Sequence, residues 1–449
     1  MTVREGSLEA PTRHPIDWQN PEYYDKGKAF AEMERVFDIC HGCRRCVSLC
    51  ASFPTLFDLV DESSTMEVDG VKKEDYWKVV DQCYLCDVCY MTKCPYVPPH
   101  PWNVDFPHLM LRAKAIQHRE GTPHKWRDTQ LSSTDRNGKL ATIPVVVQFV
   151  NAAAKMKPMR ALGEKILGVD KDAWLPDFAP KPFRNHALSN MTAPVKDGSR
   201  TPGKVAIFAT CYMNYNEPGI GHDLLKVLDH NAIAYEIVEK EACCGMPKLE
   251  QGDLKAVEEL KNRNIPQLVK LAREGYAIVT PVPSCTLMYK QELPLMFPEE
   301  EDVRLVRDAM FDPFEYLMAR RRDGLLKTEF PKALGKVAYH VPCHSRVQKI
   351  GLKTQEALEA VPGTEVLTIE RCSGHAGTWG VKAEFHETAL KIGRPVVRQM
   401  GEFKPDYFTS DCQLAGHHLE EGLERGELKG NAQLRHPLTL LRMAYGLPD

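Results

Sequence analysis

Eight of the fifteen cysteines in this chain fall in two short groups near the N-terminus. The first group has two residues between its first three cysteines and three before the fourth, whereas the second has gaps of two, two and four. The odd total argues against a complete disulfide framework, and cysteines this dense in a chain without an export signal indicate metal ligands. The two groups are Cys40, Cys43, Cys46 and Cys50, then Cys83, Cys86, Cys89 and Cys94.

Three thiolates at this spacing can wrap three corners of an iron-sulfur cubane, and in two-cluster ferredoxins the fourth cysteine comes from the other group. The alternative is zinc, but structural zinc sites usually take paired CxxC units separated by a longer loop. Two departures from the common ferredoxin pattern are Ala51, in place of proline, and one extra residue between Cys89 and Cys94. We predict two 4Fe-4S clusters, one on Cys40, Cys43, Cys46 and Cys94 and the other on Cys83, Cys86, Cys89 and Cys50.

The 32 residues between the two groups are more than a minimal ferredoxin uses. Helical patterns are predicted over residues 28–39, 75–80 and 107–119. This arrangement resembles the helical ferredoxin domain of the iron-sulfur subunits of succinate dehydrogenase and fumarate reductase.

The composition is that of a globular protein with real hydrophobic cores. The chain has 449 residues, about three domains by a weak length prior. It is 43% hydrophobic and 27% charged, with a formal net charge of −3, so neither a disordered chain nor a basic nucleic-acid-binding surface is indicated. The sequence has no run of about 18 apolar residues, so no transmembrane helix is predicted. The first fifteen residues carry four charges and no apolar core, so we expect no secretory signal.

The segment from 120 to 203 is predicted to be helical and linker. Ile143, Val146, Val147, Val150 and Ala154 fall at helical spacing, and Lys155, Lys157, Arg160 and Lys165 follow. Such a helix could touch a membrane surface or a partner subunit. It could equally pack on its own domain with a solvated basic end, and this is the interpretation we favour. Pro176, Pro180 and Pro182 indicate a linker, and Arg320, Arg321 and Arg322 are expected on a solvated helix face.

The C-terminal half repeats a pattern of buried strands that each end in cysteine. The predicted strands cover residues 204–211, 234–238 and 276–282, and then 337–343, 365–369 and 407–412. Their cysteines recur at offsets of 132, 129 and 127 residues. Strands alternating with helices predict parallel sheets, in which ligands gather beyond the carboxyl ends of the strands. The cysteines concerned are Cys211, Cys243, Cys244 and Cys285 in the first repeat and Cys343, Cys372 and Cys412 in the second.

The first repeat, with its Cys243-Cys244-Gly245 run, resembles the cysteine-rich CCG domain of the heterodisulfide reductases. Val282 stands where the first cysteine of the closing CxxC belongs. In the second repeat, Ser373 and Thr409 replace two of the five family cysteines, while the run from Gly374 to Gly380 is similar to the family. The order of a ferredoxin domain followed by two CCG domains resembles that of the iron-sulfur subunits of anaerobic glycerol-3-phosphate dehydrogenase and glycolate oxidase.

The resemblance implies an unusual non-cubane cluster in a complete CCG site. The four cysteines of the first repeat are enough to hold one four-iron cluster, with Gly245 permitting the tight turn that lets both adjacent thiolates reach it. The second repeat either holds a cluster with a non-cysteine ligand, such as His344 or His375, or is a vestigial partner domain; we favour the latter.

The predicted fold is therefore an α+β multidomain chain, with an α-helical ferredoxin domain followed by two α/β CCG domains that have parallel sheets. The expected boundaries are an N-terminal extension 1–28, ferredoxin 29–119, helical linker 120–203, first CCG domain 204–330 and second CCG domain 331–449.

The sequence predicts an electron-transfer subunit of a multi-component oxidoreductase. No GxGxxG fingerprint opens a helix after a strand, so a nicotinamide site is not expected. Single electrons would pass between a flavoprotein or similar donor and quinone or another acceptor, with no nucleic-acid partner. Two alternatives stay open: a disulfide or sulfur-bond reductase acting at the first CCG site, and a donor to a peroxide-reducing iron protein. Whether the chain is an enzyme by itself stays open, and no catalytic residue is assigned. The expected location is the cytoplasm, with any attachment to the inner face of the cytoplasmic membrane made through a partner or the basic helical stretch.

Overall fold

The computed structural model describes residues 6–7, 9–122 and 124–449, and the chain divides into two compact units. The first unit is Met1–Ser132 with Pro247–Val257 and Leu295–Pro298. The second is Ser133–Met246, Glu258–Pro294 and Glu299–Asp449. Residues 1–5 and 8 of the expected N-terminal extension, and residue 123 of the expected linker, lie outside the described residues. The finer domain boundaries remain predictions.

The first unit is helical around both N-terminal cysteine groups, as the sequence predicts. The helix predicted at 28–39 begins after Asp25, whose carboxylate accepts a hydrogen bond from the Lys28 N–H at 2.9 Å, and ends at Arg44 in the left-handed conformation. The helices predicted at 75–80 and 107–119 are also confirmed, whereas α2 was not predicted. The helices are α1 (Lys26–Cys43), α2 (Ser52–Asp61), α3 (Tyr76–Asp81), α4 (Val88–Thr92), α5 (Phe106–Glu120) and α6 (Lys125–Leu131).

Aromatic side chains fill the space between these helices. Phe53 of α2 and Phe106 of α5 have ring centroids 4.7 Å apart, and Phe37 of α1 meets Tyr76 of α3 at 5.1 Å edge to face. All four rings are buried. The cysteine groups therefore lie against a rigid core that excludes water.

The second unit opens with four helices from the predicted linker segment. These are α7 (Thr134–Ala141), α8 (Val146–Lys155), α9 (Lys157–Leu167) and α10 (Phe183–His186). The single helix that the sequence suggested is broken at Met156, because Pro158 has no N–H to donate and its ring would clash with the carbonyl of Ala154 in a continuous helix. Only Val147 of α8 is buried and none of α9 is. Of the five apolar residues expected to pack on their own domain, Val147 is buried and Val150 and Ala154 are half-buried, whereas Ile143 and Val146 are exposed. The expectation therefore holds for one side of α8 only.

The first repeat forms a four-stranded sheet in the order β2-β1-β3-β4, with every pair parallel. The three predicted strands are confirmed, each somewhat shorter than predicted; β4 has only two residues and gave no sequence signal. The elements are β1 (Lys204–Ile207), α11 (Cys211–Tyr215), α12 (Pro218–His230), β2 (Ala234–Ile237), α13 (Met246–Leu249), α14 (Leu254–Arg273), β3 (Ala277–Val279), α15 (Pro283–Leu287), a π-helix (Met288–Glu292), α16 (Leu293–Met296), α17 (Glu301–Ala309), β4 (Met310–Phe311) and α18 (Pro313–Arg322).

The second repeat has the same topology, with its sheet in the parallel order β6-β5-β7-β8. Its elements are β5 (Gly335–His340), α19 (Cys343–Arg346), α20 (Lys353–Glu359), β6 (Thr364–Ile369), α21 (His386–Phe403), β7 (Tyr407–Ser410), α22 (Gln413–Arg425), β8 (Gln433–Leu434) and α23 (Pro437–Ala444).

One residue of the arginine run departs from its predicted place on a solvated face. Arg320 is buried, and its guanidinium donates to the backbone carbonyl oxygens of Lys196 at 3.1 Å and Pro202 at 3.4 Å. A buried charge needs hydrogen-bond partners, and those of Arg320 lie in a distant segment of the chain. The run of three arginines alone therefore could not reveal which one is buried.

The two repeats share a hydrophobic core. Leu438 and Leu441 of the C-terminal helix α23 belong to the same buried cluster as Val205 and Ile207 of β1. The last helix of the second repeat therefore stabilises the first sheet.

A polar cluster also joins the repeats, around His417 of α22. Its Nε2 lies 2.9 Å from Glu217 Oε1 of the first repeat and its Nδ1 lies 3.1 Å from Glu420 Oε2, while its ring stacks on Trp174 at 4.0 Å. Burial alone would lower the pKa of His417, but the hydrogen bonds to both carboxylates outweigh it and raise the pKa to about 9.

We expect this histidine to make the stability of the folded chain depend on pH. Because the folded pKa exceeds the unfolded value, the contribution is fully present below about pH 6.5 and is lost as the pH rises through about 9. Its size is up to about 3 kcal/mol. The apparent melting temperature, measured anaerobically from neutral to alkaline pH, should fall more steeply for the wild type than for His417→Gln. The control is His222→Gln. Equal slopes for wild type and H417Q would contradict the assignment.

Candidate iron-sulfur sites

The first predicted set of cysteines converges on one small cavity. Cys40 and Cys43 come from the last turns of α1, Cys46 from the loop after it, and Cys94 from the segment after α4. Their thiols line a common cavity with Ile39, Phe53, Phe57, Tyr96 and Val104 as apolar walls. Burial, followed by the neighbouring thiols of Cys94, Cys46 and Cys43, raises the pKa of Cys40 well above its ordinary value. The chain thus brings together the four residues that the sequence grouped.

The second predicted set also comes together. Burial raises the pKa of Cys50, and the nearby thiols of Cys83 and Cys86 raise it further. The pKa of Cys89 is likewise raised by burial and by Cys86, Cys46, Cys83 and Cys50. The fourth cysteine of each sequence group therefore lies with the first three of the other group. Because Cys46 is also near Cys89, the two sets are close neighbours.

Backbone N–H groups point at several of these sulfur atoms. The N–H groups of Ser52 and Phe53, at the start of α2, donate to the sulfur of Cys50, and those of Tyr96 and Val97 donate to Cys94. These donors favour the thiolate form. Positive side chains lie nearby as well: Arg45 and Lys93 near Cys46, and Lys114 near Cys83. These surroundings suit an anionic, sulfur-ligated group.

The four cysteines of the first repeat lie at the carboxyl ends of three adjacent strands. Cys211 follows β1, Cys243 and Cys244 follow β2, and Cys285 follows β3. Cys243 accepts hydrogen bonds from the thiols of Cys211 and Cys244, which hold its pKa well below the ordinary value. Cys244 is in turn hydrogen-bonded to Cys285, and its own pKa is raised by its bonds to Cys243 and Cys285 and then by burial. The four thiols form one continuous buried cluster.

Gly245 makes the turn that places the two adjacent cysteines, as predicted. Its φ of 101° lies in the region that glycine alone adopts at little cost, and its N–H donates to the Cys243 sulfur at 3.5 Å. Asn264 of α14 holds the same turn, donating to the carbonyl oxygens of Ala242 and Cys243, both at 3.1 Å.

Three contacts of this site were missed by the sequence reasoning. Thr134 at the start of α7 donates to the Cys243 sulfur at 3.4 Å, and the Asp135 carboxylate accepts the Cys243 N–H at 2.5 Å. The third residue is Asn264, described above. The only sequence signal for Asn264 was its polar side chain on the buried side of α14. Thr134 and Asp135 lie more than a hundred residues away in sequence and gave none.

A cavity of about 1010 Å³ is lined by Glu241, two residues before Cys243, but by none of the four cysteines. Its lining includes Arg184, Tyr215 and Glu241, and it extends to Ile143 and Pro144. The Glu241 carboxylate accepts the Ala209 N–H at 2.6 Å, and burial raises its pKa to about 8 although Arg184 opposes this shift. The cavity combines apolar walls with hydrogen-bonding groups, as small-molecule sites do.

The second repeat places three cysteines at the equivalent strand ends. Cys343 follows β5, Cys372 follows β6 and Cys412 follows β7. Gly374, at a φ of 86°, donates to the Cys372 sulfur at 3.3 Å, repeating the turn of the first site. Burial raises the pKa of Cys412 to about 11, and the charges of Asp411 and then of the Cys285 thiol add to the shift.

The two histidines considered as extra ligands differ in their surroundings. His344 Nδ1 lies 2.8 Å from the Ser284 hydroxyl of the first repeat and is therefore engaged. His375 is half-buried, and its desolvation followed by the charge of His418 lowers its pKa to about 3. Its Nε2 has no hydrogen-bond partner among the described residues. Of the two, His375 has the nitrogen available to another group.

Comparison with known proteins decides what the two repeats are. The family model of the cysteine-rich domain CCG matches residues 205–290 and 337–420, which contain both sheets' central strands and every cysteine discussed above for the two repeats. Both repeats are CCG cysteine-rich domains. The topology and the strand-end cysteines are therefore features that the two CCG domains share.

The chain is also similar to curated iron-sulfur and oxidoreductase proteins. It is 29% identical over 348 residues to a subunit of the anaerobic glycerol-3-phosphate dehydrogenase of Escherichia coli K12, covering 77% of this chain and 83% of the relative. It is 29% identical over 257 residues to a subunit of the fumarate reductase (CoM/CoB) of Methanothermobacter marburgensis, covering 56% and 48%. An uncharacterized iron-sulfur protein of Methanocaldococcus jannaschii is 28% identical over 224 residues, covering 49% and 42%.

The described residues contain neither a membrane span nor a site for a single metal ion. No described helix has the length and apolar character needed to span a membrane. No group of three or more His, Cys, Asp or Glu side chains within the described ranges is arranged for one metal ion.

Proposed function

We propose that this chain is an iron-sulfur electron-transfer subunit of a multi-component oxidoreductase, passing single electrons between a flavoprotein or similar donor and quinone or another acceptor. The observation that carries the proposal is how the two N-terminal cysteine groups combine. The fourth cysteine of each group lies with the first three of the other, which gives two sets of four thiols. Together with two CCG domains, this arrangement supplies sulfur ligands for several clusters in one chain.

The thiols present fit iron-sulfur clusters. Every ligand in the proposed set is a soft thiolate, which is the donor that such clusters require. The proposed 4Fe-4S ligands are Cys40, Cys43, Cys46 and Cys94 for one cluster and Cys50, Cys83, Cys86 and Cys89 for the other, with Cys211, Cys243, Cys244 and Cys285 for a further cluster. When bound, these groups supply one-electron redox chemistry at potentials set by their surroundings.

The residues around the thiols hold and tune them. Phe53 and Phe57 keep water from the first set, while the N–H groups at the start of α2 donate to Cys50 of the second. In the first CCG domain, Thr134 and Gly245 donate to Cys243. Donors of this kind stabilise negative charge on sulfur and raise the reduction potential of a sulfur-ligated group.

The cavity lined by Glu241 and Tyr215 supports an acceptor site in the first CCG domain. Glu241 lies on its wall two residues before Cys243, and its raised pKa of about 8 keeps a proton available at neutral pH. Reducing a quinone consumes protons as well as electrons, so a protonated carboxyl group beside the proposed ligands suits that acceptor.

The names of the relatives support a redox partner. Two of them are subunits of a dehydrogenase and of a reductase. We therefore propose that this chain works with a catalytic subunit. None of the fifteen described cysteines forms a disulfide, which favours a reducing compartment such as the cytoplasm.

The test is a pair of assays on the anaerobically purified full chain. Alone, it should show no dehydrogenase activity with hydroxy acids or glycerol phosphate. After chemical reduction, its visible absorption should be restored by one-electron steps when the quinone analogue menadione is added. Oxidation of such a substrate by the chain alone would contradict the proposal. Failure of menadione to reoxidise the reduced protein, where ferricyanide succeeds, would contradict quinone as the acceptor.

Reduction of a disulfide at the first CCG site is the second candidate. It is favoured by the continuous contact of the thiols of Cys211, Cys243, Cys244 and Cys285 in one cluster. Release of free thiols from such a substrate by the reduced protein would support it over quinone reduction.

A further inference from the structure

The first CCG domain buries a tyrosine, Tyr289, close to its four cysteines. The side chain is only 1% exposed, and its hydroxyl group has no hydrogen-bond partner among the described residues. Leaving a buried polar group unpaired costs folding free energy, so native proteins keep few such groups without a functional reason. The Tyr289 hydroxyl therefore indicates a partner other than the described groups of the chain itself.

The local structure places Tyr289 one helical turn beyond Cys285. Helix α15 contains Cys285 and runs directly into the π-helix Met288–Glu292, which contains Tyr289. Because residues four positions apart in a helix are neighbours on one face, the phenol lies on the same face as the Cys285 thiol. Single π-helical turns are uncommon, and they occur frequently at functional sites.

The cysteines of the cluster act electrostatically on this hydroxyl group. Burial raises the pKa of Tyr289 well above its ordinary value. The charges that raise it further come from Cys244, Cys285, Glu241 and Cys243, in that order. A phenol is protonated at neutral pH even at its ordinary pKa of about 10. Tyr289 therefore keeps an O–H group that can donate a hydrogen bond in the neighbourhood of these thiols.

Packing fixes the position of the phenol ring. The ring meets Phe208, which directly follows β1, edge to face with the centroids 5.4 Å apart. Phe208 is fully buried, and its N–H donates to the carbonyl oxygen of Val279 in β3 at 3.0 Å. The hydroxyl of Tyr289 is thus held in a set place relative to the strand ends that carry the cysteines.

The second CCG domain has a glycine at the matching position. The offset of 127 residues that relates Cys285 to Cys412 also relates Tyr289 to Gly416. A Cβ atom on Gly416 would lie 2.8 Å from the side chain of Leu434, so a ring there would displace that buried leucine. The tyrosine therefore occurs in the domain with four cysteines and not in the domain with three.

We propose that Tyr289 donates a hydrogen bond from its hydroxyl group to a sulfur atom of the cluster in the first CCG domain, on the side of Cys244 and Cys285. This inference rests on the proposed function, because it requires that cluster. The donors described above, Thr134 and Gly245, both act on the Cys243 sulfur. Tyr289 supplies a donor at the other end of the thiol cluster. Because such a bond favours the more negative, reduced state, Tyr289 raises the reduction potential.

The test compares the anaerobically purified full chain with its Tyr289→Phe variant, which loses one oxygen atom and keeps the ring. The iron content should equal that of the wild type. In a redox titration followed by EPR, the equilibrium constant for reducing the cluster of the first CCG domain should fall about tenfold, the size expected for one charge-assisted hydrogen bond. That change is a shift of about 59 mV to lower potential for one electron. The two N-terminal clusters are internal references, and their potentials should not change.

A second measurement detects the hydrogen-bonded proton itself. Electron-nuclear double resonance of the reduced wild type, recorded in H2O and in D2O, should show exchangeable protons coupled to the cluster of the first CCG domain. The Y289F protein should lack one of these couplings and keep those from the donors to Cys243. A purely structural role of the phenol would not remove a coupling.

The matched control is Tyr316→Phe in the same compact unit. Tyr316 is buried too, but its hydroxyl donates to the carbonyl oxygen of Pro202 at 2.7 Å. Its replacement should lower the melting temperature and leave every potential unchanged. If the signal of the first CCG domain is present but Y289F keeps the wild-type potential and couplings, or loses iron, the role of Tyr289 is overturned while the proposed function stands. A wild type without that signal would overturn both.

Discussion

Replacing Cys94 with serine is expected to abolish the same cluster as replacing Cys40, although 54 positions separate them in the chain. Cys94 lines one cavity with Cys40, Cys43 and Cys46, whereas Cys50 lies with the other set. Each single variant should lose about four iron atoms, half of what two cubanes hold. Low-temperature EPR of the reduced C40S and C94S proteins should lack the same signal.

The discriminating variant is Cys50→Ser. If the ligands cross between the groups, C50S and C83S should both lack one EPR signal, and C40S and C94S should both lack the other. If each sequence group instead holds its own cluster, C40S and C50S should lose the same signal. That second pattern would contradict the proposed ligand sets.

Replacing Cys244 with serine should remove the further cluster of the first CCG domain. Cys244 bridges Cys243 and Cys285 in the buried chain of thiols, so no other side chain can take its place there. The iron content should fall from about twelve to about eight per chain, and reoxidation by menadione should slow by at least about a hundredfold.

The matched control for that prediction is Cys372→Ser in the second CCG domain. Cys372 lies at the equivalent strand end and makes the equivalent contact with a glycine N–H, but Ser373 and Thr409 replace two family cysteines beside it. Its iron content should therefore equal that of the wild type. Loss of iron in C372S would show a cluster in the second domain, and an unchanged iron content in C244S would contradict the proposed ligands of the first.

The two α/β repeats were largely predictable from the sequence. Buried strands such as 204–207 have strong apolar runs, and three matching offsets between cysteines identified the duplication. Because parallel strands end at a common edge, strand-end cysteines had to meet there. Gly245 was also predictable, because the tight turn after the two adjacent cysteines needs a positive φ, which glycine adopts at little cost.

The contacts that depend on packing could not be predicted. Thr134 and Asp135 reach Cys243 from a segment with no cysteine motif, and only the three-dimensional path of α7 brings them there. Hydrophobic periodicity predicted the inward side of α8 around Val147, but it could not show that Phe149 and the apolar residues of α9 stay exposed. The orientation of α9 also depends on partly buried hydrogen bonds of Arg160 to backbone carbonyl oxygens of residues 170–173, and a lone arginine gives no such signal.

Joint determination of iron, acid-labile sulfide and EPR spectra on oxygen-free protein tests the central claim most directly. We predict a coloured protein with about twelve iron atoms per chain and two interacting cubane signals after reduction, together with a further signal from the first CCG domain. A colourless preparation containing stoichiometric zinc, or one with no reducible iron-sulfur signal, would contradict this account of the chain.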